Sequence, residues 1–134
     1  MPLVRIEMSD EISPDLARSI ADSIHSAIVD TYGIPVRDRF QILNRLPQGS
    51  IIAEDAGLGF DRTSGAIVIQ IFTQRGRSAQ AKQDLYSKIV GNLVLLGVAA
   101  EDVFIGYNEN GPDDWSFGFG RAQYLTGELQ VPSV

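Results

Sequence analysis

The 134-residue chain is long enough for one domain with a real core and too short for two. Its 44% hydrophobic and 21% charged residues are the balance of a soluble globular protein, and no apolar run reaches bilayer-spanning length. A net charge of −6 argues against a nucleic-acid backbone as the main partner, and the lack of cysteine excludes disulfides, a thiol nucleophile and thiolate metal sites.

Arg5, Glu7 and Asp10 interrupt any amino-terminal apolar segment of the signal-peptide kind, so a cytoplasmic location is expected. A small anionic substrate stays open, because a local pair of arginines can override the global field.

In chain order, Pro2 to Met8 reads as a strand. Ser13-Pro14-Asp15 then reads as a helix start, with serine as the cap, proline at the first helical position and an acid in the first turn. Leu16, Ala17, Ile20, Ala21, Ile24, Ala27 and Ile28 follow at helical spacing and predict one buried face. Gly33 ends the helix, Pro35 prevents its resumption, and Arg39 to Leu43 is a second strand. The connection from Gly49 to Gly65 leaves room for a short strand at Ser50 to Ala53. Ala66 to Thr73 is a strongly apolar strand, and Gly76-Arg77-Ser78 turns into a second helix. Ala81, Leu85, Ile89, Leu93 and Leu96 form its buried face, Gly97 closes it, and Val103 to Tyr107 is the next strand. The tail from Trp115 to Val131 is too apolar to be disordered and is expected to pack on a neighbouring surface.

The two units superpose. Gly33, Asp38 and Phe40 fall on Gly97, Asp102 and Phe104, and Ile20, Ile24 and Ile28 fall on Leu85, Ile89 and Leu93 with one residue of slip. The expected architecture is α/β (α+β): a duplicated β-α-β unit forming a four-stranded mixed sheet with two helices on one face. The chain is one domain, with halves at about 2–48 and 66–110 and a tail at 111–134. The other face of the sheet must be covered, and self-association is the simplest cover.

Few residues offer chemistry. His25, the one histidine, sits mid-helix without a second ligand and is expected to be structural. Gly57-Leu58-Gly59 is too short for a phosphate loop, and neither a metal site nor a nucleophilic serine motif is present. Three features remain. Proline is well tolerated as the first residue of a strand. If Met1 is removed, however, Pro2 becomes a free secondary amine that its surroundings can tune into a base or a cationic acid. Arg75-Gly76-Arg77 is either a solvated turn or a carboxylate site at a strand end, with arginine forks suited to bidentate binding. Asp38 is either a turn residue, as the equivalence with Asp102 suggests, or a carboxylate that charges or orients the Pro2 amine.

Taken together, Met1-Pro2-Leu3, the stretches Pro35 to Gln41 and Glu54 to Phe60, Arg75 to Ser78, Asp114 to Gly118 and Tyr124 to Leu129 resemble the tautomerase superfamily. The similarity is greatest to the malonate semialdehyde decarboxylase family and runs from the first residues to nearly the last. The resemblance implies a homotrimer with sites near subunit boundaries and no cofactor. It further implies Pro2 as the catalytic proline, Asp38 as its cooperating aspartate, Arg75 and Arg77 as holders of the substrate carboxylate, and Trp115 and Phe117 as an apolar wall. Gly76 stands where a family member has proline, and some close relatives keep only the second arginine, so the resemblance makes Arg77 the safer of the two.

The expected activity is cofactor-independent decarboxylation of a small 3-oxo acid such as malonate semialdehyde. Losing CO2 leaves an enolate, whose developing charge must be stabilised. A cationic Pro2 would do this by hydrogen bonding, a neutral Pro2 by forming an iminium. The alternatives are keto–enol tautomerisation of a 2-oxo acid, with neutral Pro2 as base, and hydration or dehalogenation of unsaturated acids. A non-catalytic acid-binding trimer is the reading from another class. No nucleic-acid or membrane partner is expected.

Overall fold

The computed structural model of the chain describes residues 2–132. Its elements run β1 (Leu3–Ser9), α1 (Pro14–Tyr32), β2 (Phe40–Leu46), β3 (Ile67–Gln74), α2 (Ala79–Val94), β4 (Val103–Asn110) and a one-turn α3 (Gln123–Thr126). The sheet order is β2-β1-β3-β4. β1 runs parallel to β2 and β3 parallel to β4, while β1 and β3 are antiparallel at the centre. The doubled β-α-β layout is therefore present, and no strand forms at Ser50 to Ala53. No helix among the described residues is long and apolar enough to cross a membrane.

Local chemistry sets the helix ends. The Ser13 and Ser78 hydroxyls accept from the Leu16 and Ala81 amides, each satisfying an otherwise orphaned N–H. Gly33 closes α1 at φ 65°, a left-handed conformation that glycine adopts without steric cost, and its N–H reaches the Val29 carbonyl at 2.8 Å.

Strand alternation divides the residues between faces. Val4, Ile6 and Met8 of β1 and Ile67, Ile69 and Ile71 of β3 are buried with Ile20, Ile24 and Ile28 of α1 and Leu85, Ile89 and Leu93 of α2. The six helical residues that coincide in the duplication thus lie in one core. The opposite face pairs Leu3 with Phe40, Arg5 with Ile42, and Val68 with Phe104. Phe40, Ile42 and Phe104 remain 40%, 38% and 49% exposed, so the described residues cover this face only in part.

The duplicated aspartates have diverged. Asp102, buried at the start of β4, accepts from the Thr63 amide at 2.7 Å and the Thr63 hydroxyl at 2.5 Å. It braces the long β2–β3 connection against the sheet. Removing those charge-assisted bonds in Asp102→Ala should cost about 1.5–3 kcal/mol, read as a lower urea midpoint with unchanged slope. An unchanged midpoint would show that the brace carries no stability.

Candidate active site

Because β1 and β3 are antiparallel, the start of β1 and the end of β3 share one end of the sheet, joined there by the start of β2. That topology brings Pro2, Asp38, Arg75 and Arg77 to a common end. Pro2 is buried, immediately before the Leu3↔Phe40 and Leu3↔Phe72 pairings. Met1, whose removal would free the Pro2 amine, lies outside the described residues.

Asp38 ends a turn in which its N–H donates to the Pro35 carbonyl at 2.9 Å. His25 positions this turn from α1, with Nε2 2.7 Å from the Val36 carbonyl oxygen. A carbonyl only accepts, so Nε2 carries the proton. His25 is therefore structural, as expected, and it serves the loop that carries Asp38. Burial raises the Asp38 carboxyl above the ordinary carboxylate range, while positive charge at the amino terminus and at His25 opposes that rise.

Two adjoining cavities open at this end. One, of about 370 Å³, is lined by Tyr32, Gly33, Ile34, Pro35 and Arg77 and by the tail residues 130–132. The other, of about 300 Å³, is predominantly apolar, with Asp38, Phe40, Phe117, Tyr124 and Leu129 in its wall. Pro35, Gln130 and Pro132 border both. The buried Gln74 side chain tethers the tail there, donating from Nε2 to the Pro132 carbonyl at 3.1 Å.

The two arginines part company. Arg77 lines the first cavity, and its guanidinium carbon stands 4.3 Å from the Tyr32 ring centroid. Arg75 lies against the turn after β4, where its Nη1 would stand 3.1 Å from a Cβ added at Gly111, and it borders neither cavity.

The expected apolar wall is also split. Phe117 meets Phe40 at 5.7 Å and Tyr124 at 5.2 Å between ring centroids, and it faces the second cavity. Trp115 stacks behind it at 6.0 Å, anchored by its indole N–H on the Asn110 side chain at 2.8 Å, and does not line that cavity. The tail therefore packs on its own chain, across the start of β2. Burial, then the negative charge of Asp38, pushes the Tyr124 phenol up to about 12, so it remains a neutral hydroxyl.

Sequence reasoning assigned no role to Tyr32, Tyr107 or Tyr124. The Tyr32 and Tyr107 hydroxyls lie 3.2 Å apart across 75 residues of chain. Its place at the end of α1, directly before the capping Gly33, was the one available signal for Tyr32.

Comparison with known proteins agrees with this architecture. A family model described as "Tautomerase enzyme" matches residues 38–118, more than half of the chain, and a second with the same description matches residues 2–61. The chain belongs to the tautomerase family. "Probable tautomerase YrdN" of Bacillus subtilis (strain 168) is 35% identical over 96% of this tautomerase and all of the relative. The crystal structure of FG41 malonate semialdehyde decarboxylase inhibited by 3-bromopropiolate superposes with a TM-score of 0.95 at 51% identity, covering 97% of this chain and 99% of that one. Malonate semialdehyde decarboxylase, solved in wild-type, mutant and inactivated forms to explain decarboxylase and hydratase activities, gives 0.89 at 34% identity over 95% and 98% of the two chains. Within its superfamily this tautomerase is thus similar to the malonate semialdehyde decarboxylases in particular.

Proposed function

We propose that this tautomerase decarboxylates a small 3-oxo acid such as malonate semialdehyde, using the Pro2 amine freed by removal of Met1. The observation that carries this reading is the convergence of Pro2, Asp38 and Arg77 at one end of the sheet in a chain 51% identical to a malonate semialdehyde decarboxylase.

The proposed chemistry follows from the groups present. Cleaving Met1 changes the Pro2 nitrogen from an amide into a secondary amine that can take a proton. Ionised Asp38 favours the ammonium form electrostatically. Arg77 holds the substrate carboxylate, with Arg75 in the weaker supporting role its position allows. The carbon–carbon bond breaks as CO2 leaves, its electron pair forming an enolate whose oxygen accepts a hydrogen bond from the Pro2 ammonium. That enolate then takes a proton at carbon from the Pro2 ammonium, which is reprotonated from water, giving acetaldehyde from malonate semialdehyde. The apolar wall around Phe117, backed by Trp115, favours conversion of a charged carboxylate into neutral CO2.

Asp38→Asn tests the coupling. Losing a negative charge beside the amine makes its ammonium less stable and lowers its pKa. The basic limb of the kcat/KM–pH profile should therefore move to lower pH, with the profile read as an apparent value for coupled groups. A basic limb that stays in place would refute the role given to Asp38.

A second reading is supported by the relative named a probable tautomerase. A neutral Pro2 would act there as base on an enol 2-oxo acid. Comparing kcat/KM for malonate semialdehyde and for such an enol decides between them. Preference for the enol, with activity rising as Pro2 loses its proton, would replace the decarboxylase reading.

We further propose a homotrimer, because the described residues leave the apolar face bearing Phe40, Ile42 and Phe104 only partly covered. Sedimentation equilibrium would test this, and a monomer at micromolar concentration would refute it.

A further inference from the structure

The first cavity holds an arginine whose partner is a ring rather than an acid. Among the described residues no carboxylate pairs with Arg77, although Arg39, Lys82 and Arg121 each have an acidic partner within 3.0 Å. Instead the Arg77 guanidinium carbon lies 4.3 Å from the Tyr32 ring centroid. A guanidinium carries five N–H donors in a fixed fork, so one held over a ring keeps donors available to a carboxylate.

The ring itself is held firmly. Tyr32 is the last residue of α1, and its hydroxyl meets that of Tyr107 at 3.2 Å. Tyr107 lies in β4, with the Tyr86 ring edge-on at 6.4 Å and the Lys82 ammonium 4.8 Å from its centroid. Lys82 is in turn paired with Glu109 at 2.9 Å. Groups from α1, α2 and β4 therefore fix one aromatic platform.

We propose that Tyr32, locked by Tyr107, is a positioning residue that pre-orients the Arg77 guanidinium for a substrate carboxylate. This rests on the reading of Arg77 as the carboxylate anchor. Arginine has a long side chain with much rotamer freedom, and binding a carboxylate restricts it. A ring that already restricts the guanidinium reduces what binding must still order. Burial is the main cause that raises the ionisation of both phenols above the ordinary tyrosine value. Neither ring therefore supplies an anion that would compete with the substrate for Arg77.

The test compares Tyr32→Met, Tyr32→Phe, Tyr107→Phe and Arg77→Ala with the wild type, using kcat, KM and inhibition by propanoate and by its neutral counterpart propanamide. Tyr32→Met should weaken propanoate inhibition and raise KM about fivefold to twentyfold, the range of a partly desolvated cation–π contact, and leave propanamide inhibition unchanged. Tyr32→Phe keeps the ring and should recover most of that loss. If Tyr32→Met does not fold, Tyr107→Phe makes the same comparison, with a propanoate-selective loss of about twofold to tenfold for one neutral hydrogen bond. Equal weakening of acid and amide would mean that Tyr32 is merely structural and would overturn the proposal. So would unchanged propanoate inhibition in Tyr32→Met beside a clear loss in Arg77→Ala. If Arg77→Ala itself leaves propanoate inhibition unchanged, it is the carboxylate-anchor reading that fails.

Discussion

Pro2→Ala, prepared with Met1 removed, should decarboxylate malonate semialdehyde about 10²–10⁴-fold more slowly than the wild type, the usual contribution of a positioned acid or base. Alanine keeps an amine at the same point of the chain, so some turnover should survive. It loses the pyrrolidine ring, which holds the nitrogen and so the direction of its N–H bonds fixed relative to Cα, whereas the primary amine of alanine rotates freely. Wild-type protein that retains Met1 should be slower still, because an amide nitrogen offers neither basicity nor a transferable proton. Intact mass spectrometry identifies the amino terminus, and kcat/KM measured on each form completes the test. Wild-type turnover from the Met1-retaining form would eliminate the proline mechanism whatever the fold.

Arg77→Ala should lower kcat/KM about 30- to 1,000-fold, as expected when one partner of a charged, hydrogen-bonded pair is removed. Arg75→Ala should cost less than about tenfold, because that side chain lies against the turn at Gly111 rather than in either cavity. The ratio of the two losses is the informative number. Equal losses would mean that both guanidiniums reach the substrate, and a larger loss at Arg75 would reverse the assignment. Malonate semialdehyde kinetics, with thermal melts to confirm folding, provide the measurement.

Much of this architecture is legible in the amino-acid sequence. Serine before Pro14, glycine at position 33 and the repeated spacing of Ile20, Ile24, Ile28 with Leu85, Ile89, Leu93 are local signals with local causes, and they recur in the caps and the core. Asp38 and Asp102 could not be separated that way. Their surroundings come from different partners: a Thr63 clamp for one, the His25-held turn and a cavity wall for the other. The resemblance favours Arg77 over Arg75, but the local sequence does not show why, because turn geometry decides which guanidinium faces Tyr32 and which lies against Gly111. The hydroxyl contact between Tyr32 and Tyr107 depends on tertiary packing alone, and no spacing rule reports a pairing over 75 residues.

The Asp102 brace has a consequence for how the protein can change. It stands at the opposite end of the sheet from Asp38, a strand of about 20 Å away. Substitutions so far apart and without shared partners contribute to stability almost independently. Each end can then be altered on its own terms. A tighter clamp around Thr63 could absorb the destabilisation of a new substrate pocket without touching the chemistry. In this duplicated fold, one copy of the aspartate serves as ballast, and that leaves the surroundings of the other free to vary.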